Sequence, residues 1–110
     1  MANAVTFTYK NVNYTLDFDR NTAMLLEQQG FKVENVYEKP NTYIPMLFYY
    51  AFAKYHKKIK RNLVDEIYEK MPKKQELIKA LVELYLETGN SLFDEPESGD
   101  EGNLMWEQNG

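Results

Sequence analysis

Val5-Thr6-Phe7-Thr8-Tyr9-Lys10-Asn11-Val12-Asn13-Tyr14-Thr15-Leu16-Asp17-Phe18 is the stretch on which the fold class turns. Val5, Phe7 and Tyr9 alternate with threonines, and Tyr14, Leu16 and Phe18 alternate with Thr15 and Asp17, the period of two that puts every apolar side chain on one face of a strand. Lys10-Asn11-Val12-Asn13 separates the two runs and supplies asparagine, which tolerates the left-handed backbone of a tight turn. The stretch predicts a β-hairpin with one apolar face and open edges. A two-stranded ribbon is marginal on its own, so that face must lie against helices.

Everything downstream predicts helix. Asp19 is placed to cap a helix over 20–29, with Gly30 at its left-handed end and Phe31 folding back on the last turn. Ala23, Leu26 and Met24 are its candidate inward residues. Residues 31–40 show no firm period and predict no particular structure. From Ile44 to Arg61 the chain predicts one continuous helix that starts between Asn41 and Pro45, where proline suits a first turn. Ile44, Phe48, Ala51, Phe52, Tyr55 and Ile59 make its core stripe. Met46, Tyr49, Tyr50 and Ala53 extend apolar character round the other side, so the helix is either central in the fold or covered by a partner. Asn62 is placed to cap a third helix with Leu63, Val64, Ile67, Tyr68 and Met71 as its stripe, ended by Pro72. A fourth, over 73–87, carries Leu77, Ile78, Leu81, Val82, Leu84 and Tyr85, with Thr88-Gly89-Asn90 as its stop. The expected architecture is α+β, an N-terminal β-hairpin packed on a bundle of about four helices. It forms one domain over 1–93, followed by a disordered acidic tail over 94–110.

Composition narrows the function. The 110 residues contain no cysteine, which excludes disulfides and thiolate chemistry. No signal-like start and no apolar run long enough for a membrane span are visible, which predicts an unexported, cytoplasmic protein without a membrane partner. The net charge of −4 is unevenly placed: residues 1–93 carry +2, and the tail from Asp94 carries −6. His56 is the sole histidine and has no metal-ligand or nucleophile spacing around it, so it predicts a solvated residue at a helix end. Asp65 and Glu66 are read as surface charges, Glu66 pairing with Lys70 four residues on. The glycines are scattered and form no phosphate-cradling loop. These readings predict a protein that is not an enzyme and holds no metal or cofactor.

Lys54, Lys57, Lys58, Lys60 and Arg61 form the concentrated positive patch, on which a small nucleic-acid-binding regulator could be built. The same charges complement a helix C-terminus, and an acidic tail competes with phosphate for them, so nucleic acid is the disfavoured partner. Leu104-Met105-Trp106 sets three apolar residues, one the sole tryptophan, beyond the acidic spacer. The segment can dock on the domain itself, anchor a partner as a short linear motif, or stay exposed.

Across nearly its whole length the chain resembles the small tail assembly chaperones of long-tailed phages and prophages, particularly those of Gram-positive bacteria. The likeness lies in layout more than in any one motif. It is carried by the hairpin strings quoted above, Glu27-Gln28-Gln29-Gly30-Phe31, Leu47-Phe48-Tyr49-Tyr50-Ala51-Phe52 with Lys60-Arg61, Asp65 through Met71, Glu76-Leu77-Ile78 with Leu81 and Tyr85, and an acidic end holding Gly102-Asn103 and Trp106. The resemblance implies a non-enzymatic protein of the host cell cytoplasm that binds the tape measure protein, recruits tail tube subunits and is absent from the mature virion. A virion connector or structural protein is the other phage reading. Met46, Tyr49, Tyr50, Ala53, Leu104, Met105 and Trp106 are the candidate partner-binding residues, and self-association through the hairpin edge or the aromatic helix is expected to give an oligomer.

Overall fold

The computed structural model describes residues 3–90 and 92–93. Two antiparallel strands, β1 (Val5–Tyr9) and β2 (Val12–Leu16), are followed by α1 (Arg20–Gln28), a 3-10 turn (Val33–Asn35), α2 (Pro40–Phe52), α3 (Arg61–Lys70) and α4 (Lys74–Asn90). This is the expected α+β order. The hairpin loop is shorter than the four residues read from the sequence, because Tyr9 pairs with Val12 and leaves only Lys10 and Asn11 in the turn. Both have positive φ, 49° and 67°, the twist-matched geometry of a two-residue hairpin turn. Val12 and Asn13 therefore belong to β2.

α1 begins and ends as expected. Asp19 accepts from the Thr22 amide at 2.8 Å while the Thr22 hydroxyl accepts from the Asp19 amide at 2.9 Å, a reciprocal cap. Those bonds to the ionised carboxyl hold the Asp19 pKa below its ordinary value, with the Thr22 amide the largest cause. At the other end Gly30 sits at φ 90°, its amide reaching Glu27 O at 3.0 Å and that of Phe31 reaching Leu26 O at 3.4 Å, which satisfies two terminal carbonyls. Ala23 and Leu26 face inward, but Met24 does not: it is 48% exposed.

α2 is the central helix, touching β2, α1, the 3-10 turn, α3 and α4. It starts earlier than expected, with Pro40 in the first turn, so Pro45 lies inside the helix. It also stops earlier. The Ala51 carbonyl, which in a continuing helix would accept from Tyr55, accepts instead from the Asp17 amide of the hairpin at 3.0 Å. The chain then runs through turns over 53–60, Tyr55 emerges 54% exposed, and the core stripe ends at Phe52.

α3 starts at Arg61 with Lys60 as its cap residue, not Asn62, whose side chain accepts only from the adjacent Leu63 amide. Its last carbonyls are met by the Lys74 ammonium, which donates to Met71 O at 2.8 Å and Glu69 O at 3.2 Å. α4 runs through Gly89 to Asn90, past the expected stop.

The core joins two chains of rings. Phe7 stacks on Tyr14, Tyr14 meets Phe52 edge-on, Phe52 meets Phe48, and Phe48 meets Tyr68, which ties hairpin, α2 and α3 together. Phe18, Tyr85, Phe31 and Tyr43 make the second chain, joining the end of the hairpin to α4 and α2. Phe48, Phe52, Leu16, Leu26, Leu47 and Leu81 are all but fully buried, each contributing about 1.5–3 kcal/mol by removal from water. No buried side-chain polar atom among the described residues lacks a partner. The Tyr85 hydroxyl donates to Glu27 at 2.7 Å, and burial with that carboxylate pushes its pKa far up, so it stays a phenol.

Candidate partner-binding surface

α2 carries no charged residue from Pro40 to Phe52. At about 100° per residue, its buried Leu47, Phe48, Ala51 and Phe52 define one side of the helix, and Met46, Tyr49, Tyr50 and Ala53 fall on the other. The four are brought together as one stripe, each half-buried by flanking elements. The rings of Tyr49 and Tyr50 meet edge-on at 5.3 Å, and the Arg61 guanidinium lies 4.9 Å over Tyr49. The remaining candidates, Leu104, Met105 and Trp106, lie outside the described residues.

The basic segment is not the end of a helix. Lys54 bonds Asp17 at 3.0 Å, which raises its pKa, and lies over the Tyr55 ring. Arg61 stands 3.8 Å from Asp65. Lys57, Lys58 and Lys60 are exposed on the turns and on the first residue before α3. Two of the five charges are thus engaged within the fold, and the other three share no helical face.

His56 is no solvated residue. Its Nε2 accepts the Thr15 amide at 3.0 Å, and its ring packs on Tyr14 and Phe52. Together with the Asp17–Ala51 bond this seals the outer edge of β2, whereas the outward main-chain groups of Thr6 and Thr8 on β1 have no main-chain partner among the described residues. Glu66 does not rely on Lys70. It takes the Tyr9 hydroxyl and the Lys10 ammonium, the latter at 3.1 Å, and fastens the hairpin tip to α3. Those two bonds hold the Glu66 carboxyl below the usual carboxylate range, with Lys70 contributing least, and Glu66 in turn raises the pKa of Tyr9 and Lys10.

A groove of about 500 Å³ opens where the 3-10 turn, α2, α3 and α4 meet. Val36, Tyr37, Pro40, Ile44, Tyr68 and Ile78 make it apolar, and Lys74 and Lys79 flank it with no carboxylate in the lining. Sequence reasoning missed it because one wall comes from residues 31–40, whose apolar positions follow no period. Burial beside Phe48 raises the pKa of the Tyr68 phenol.

Among the described residues no group of three or more His, Cys, Asp or Glu could hold a metal ion, and no helix is long and apolar enough to cross a membrane. Surfaces, rather than a cluster of reactive groups, are what this small α+β domain presents. The chain belongs to the family of the domain of unknown function DUF5055, whose model matches residues 1–109. No curated protein and no solved structure matches it.

Proposed function

We propose that this protein is a non-enzymatic tail assembly chaperone of long-tailed phages or prophages, binding the tape measure protein and recruiting tail tube subunits in the host cytoplasm. The observation that carries the reading is the uncharged helix α2, whose side away from the core is methionine and tyrosine rather than the charged residues of an ordinary outer face. A client that is long, helical and apolar-striped needs adaptable apolar contacts. Met46 supplies a flexible thioether, and Tyr49 and Tyr50 supply large rings with polar tips that tolerate varied sequence. Arg61, held over Tyr49, adds a cation at the rim. Further copies joined through the open β1 edge at Thr6 and Thr8 would repeat the stripe along the client and raise avidity without stronger single contacts.

Co-expression with the tape measure and tail tube proteins encoded beside it tests this directly. Light scattering is expected to find a soluble complex of defined mass holding an otherwise insoluble tape measure protein. The Tyr49→Ala, Tyr50→Ala double variant, checked for native circular dichroism, is expected to lose the client from that complex. Aggregated client beside a lone chain would overturn the function, and a folded double variant that still co-purifies with client would overturn the surface.

A further inference from the structure

The groove between the 3-10 turn, α2, α3 and α4 is separate from the Met46–Tyr50 stripe, and the chaperone reading makes no use of it. We propose that it is the docking site for the chain's own acidic tail, which seats Leu104, Met105 and Trp106 on the apolar floor between Lys74 and Lys79. Three observations select this occupant. The groove has an apolar floor, two flanking ammonium groups and no carboxylate in its lining. The tail has the complementary order, with an apolar triplet between Glu101 and Glu107 in a segment whose charge is −6 against +2 for residues 1–93. The reach also suffices. Ile78 lies about 18 Å back along α4 from Asn90 at ~1.5 Å per residue, and the eleven steps from Phe93 to Leu104 span up to about 36 Å at ~3.3 Å each.

A tethered segment meets the groove at an effective concentration in the millimolar range. Closing the loop costs entropy that grows only slowly with its length. A free peptide of the same sequence has neither advantage. Tryptophan is the side chain best suited to anchor such a contact, since one ring covers much of a small apolar floor. Tyr37, 67% exposed at the groove's mouth, is placed to close over it.

Trp106 is the sole tryptophan, so its selectively excited fluorescence reports the tail alone. In the purified full chain its emission is expected to be blue-shifted and severalfold less accessible to a neutral quencher than in the Tyr37→Ser, Lys79→Glu double variant, at every protein concentration. Both substitutions fall on exposed positions, and Lys79→Glu alone, expected to give a partial effect, is the second variant. A fully solvated indole in the wild-type chain would overturn the proposal. So would shielding that both groove variants leave unchanged, which would put the tail elsewhere, or shielding lost on dilution, which would make a second copy the true host. No client is present in this experiment, so it can fail while the chaperone reading stands, and the reverse.

Discussion

One imidazole closes the outer edge of β2. His56 accepts the Thr15 amide through Nε2, which requires the ring's proton on Nδ1, and it stacks between the hairpin and the end of α2. Replacing it separates two contributions. His56→Phe keeps a ring against Tyr14 and Phe52 but leaves the part-buried Thr15 amide without its acceptor, whereas His56→Ala removes both. Urea unfolding is expected to show a loss of about 1–2 kcal/mol for His56→Phe, the cost of an unmet donor, and a larger loss for His56→Ala. Hydrogen exchange at Thr15 should accelerate in each. Equal stability of His56→Phe and wild type would show that the nitrogen is dispensable. Nothing in the sequence around His56 signals this role, because the partner is a backbone amide 41 positions away that carries no side-chain signature. Glu66 was misread for the same reason. A partner four residues along its own helix is visible in sequence, and Tyr9 and Lys10 at the hairpin tip are not.

Two glycines at helix ends respond to alanine in opposite directions, although an added Cβ meets no atom within 4 Å at either. Gly30 has φ 90° and terminates α1, so Gly30→Ala forces a left-handed alanine and is expected to destabilise by about 1 kcal/mol. Gly89 lies inside α4, so Gly89→Ala removes unfolded-state freedom and raises helix propensity, and is expected to stabilise by about 0.5–1 kcal/mol. Thermal melts of the two variants decide both signs; a destabilised Gly89→Ala would mean that the helix ends before it. Gly30 was legible because a capped helix, a glycine and an aromatic follow one another in order. Gly89 resembled a stop in sequence, yet Thr88 continues the helix by bonding Tyr85 O at 2.7 Å. The strands and the helix stripes were legible because periods of 2 and 3.6 survive in a single sequence. The early end of α2 was not. Its apolar spacing runs on to Ile59, and what breaks the ladder is a tertiary bond from Asp17 to Ala51, set by how the hairpin packs.

At the scale of the whole molecule, charge separates the readings that the local patch leaves open. The chain carries −4, but only because a tail of −6 offsets a body of +2. In the body, Lys54 and Arg61 have acidic partners, which leaves Lys57, Lys58 and Lys60 as the exposed bases of the segment. Nucleic-acid binding of the non-specific kind rests on counterion release from several phosphates at once, and three lysines beside an acidic tail supply little of it. The full chain is therefore expected to give no shift of duplex or single-stranded nucleic acid even at low salt. A chain ending after Phe93 loses the tail's opposing field and is expected to give a weak shift that disappears as salt rises toward the physiological range. Its core should survive the truncation, since every buried side chain among the described residues lies between Tyr14 and Tyr85. A cooperative melt of the shortened chain verifies that before the shift is read. If the full chain itself shifts nucleic acid with steep salt dependence, the basic turns are a binding surface in spite of the tail, and the regulator reading displaces the chaperone. If neither chain shifts it, the three exposed lysines are solvated surface, and the tail's charge is left to act on the groove between Lys74 and Lys79.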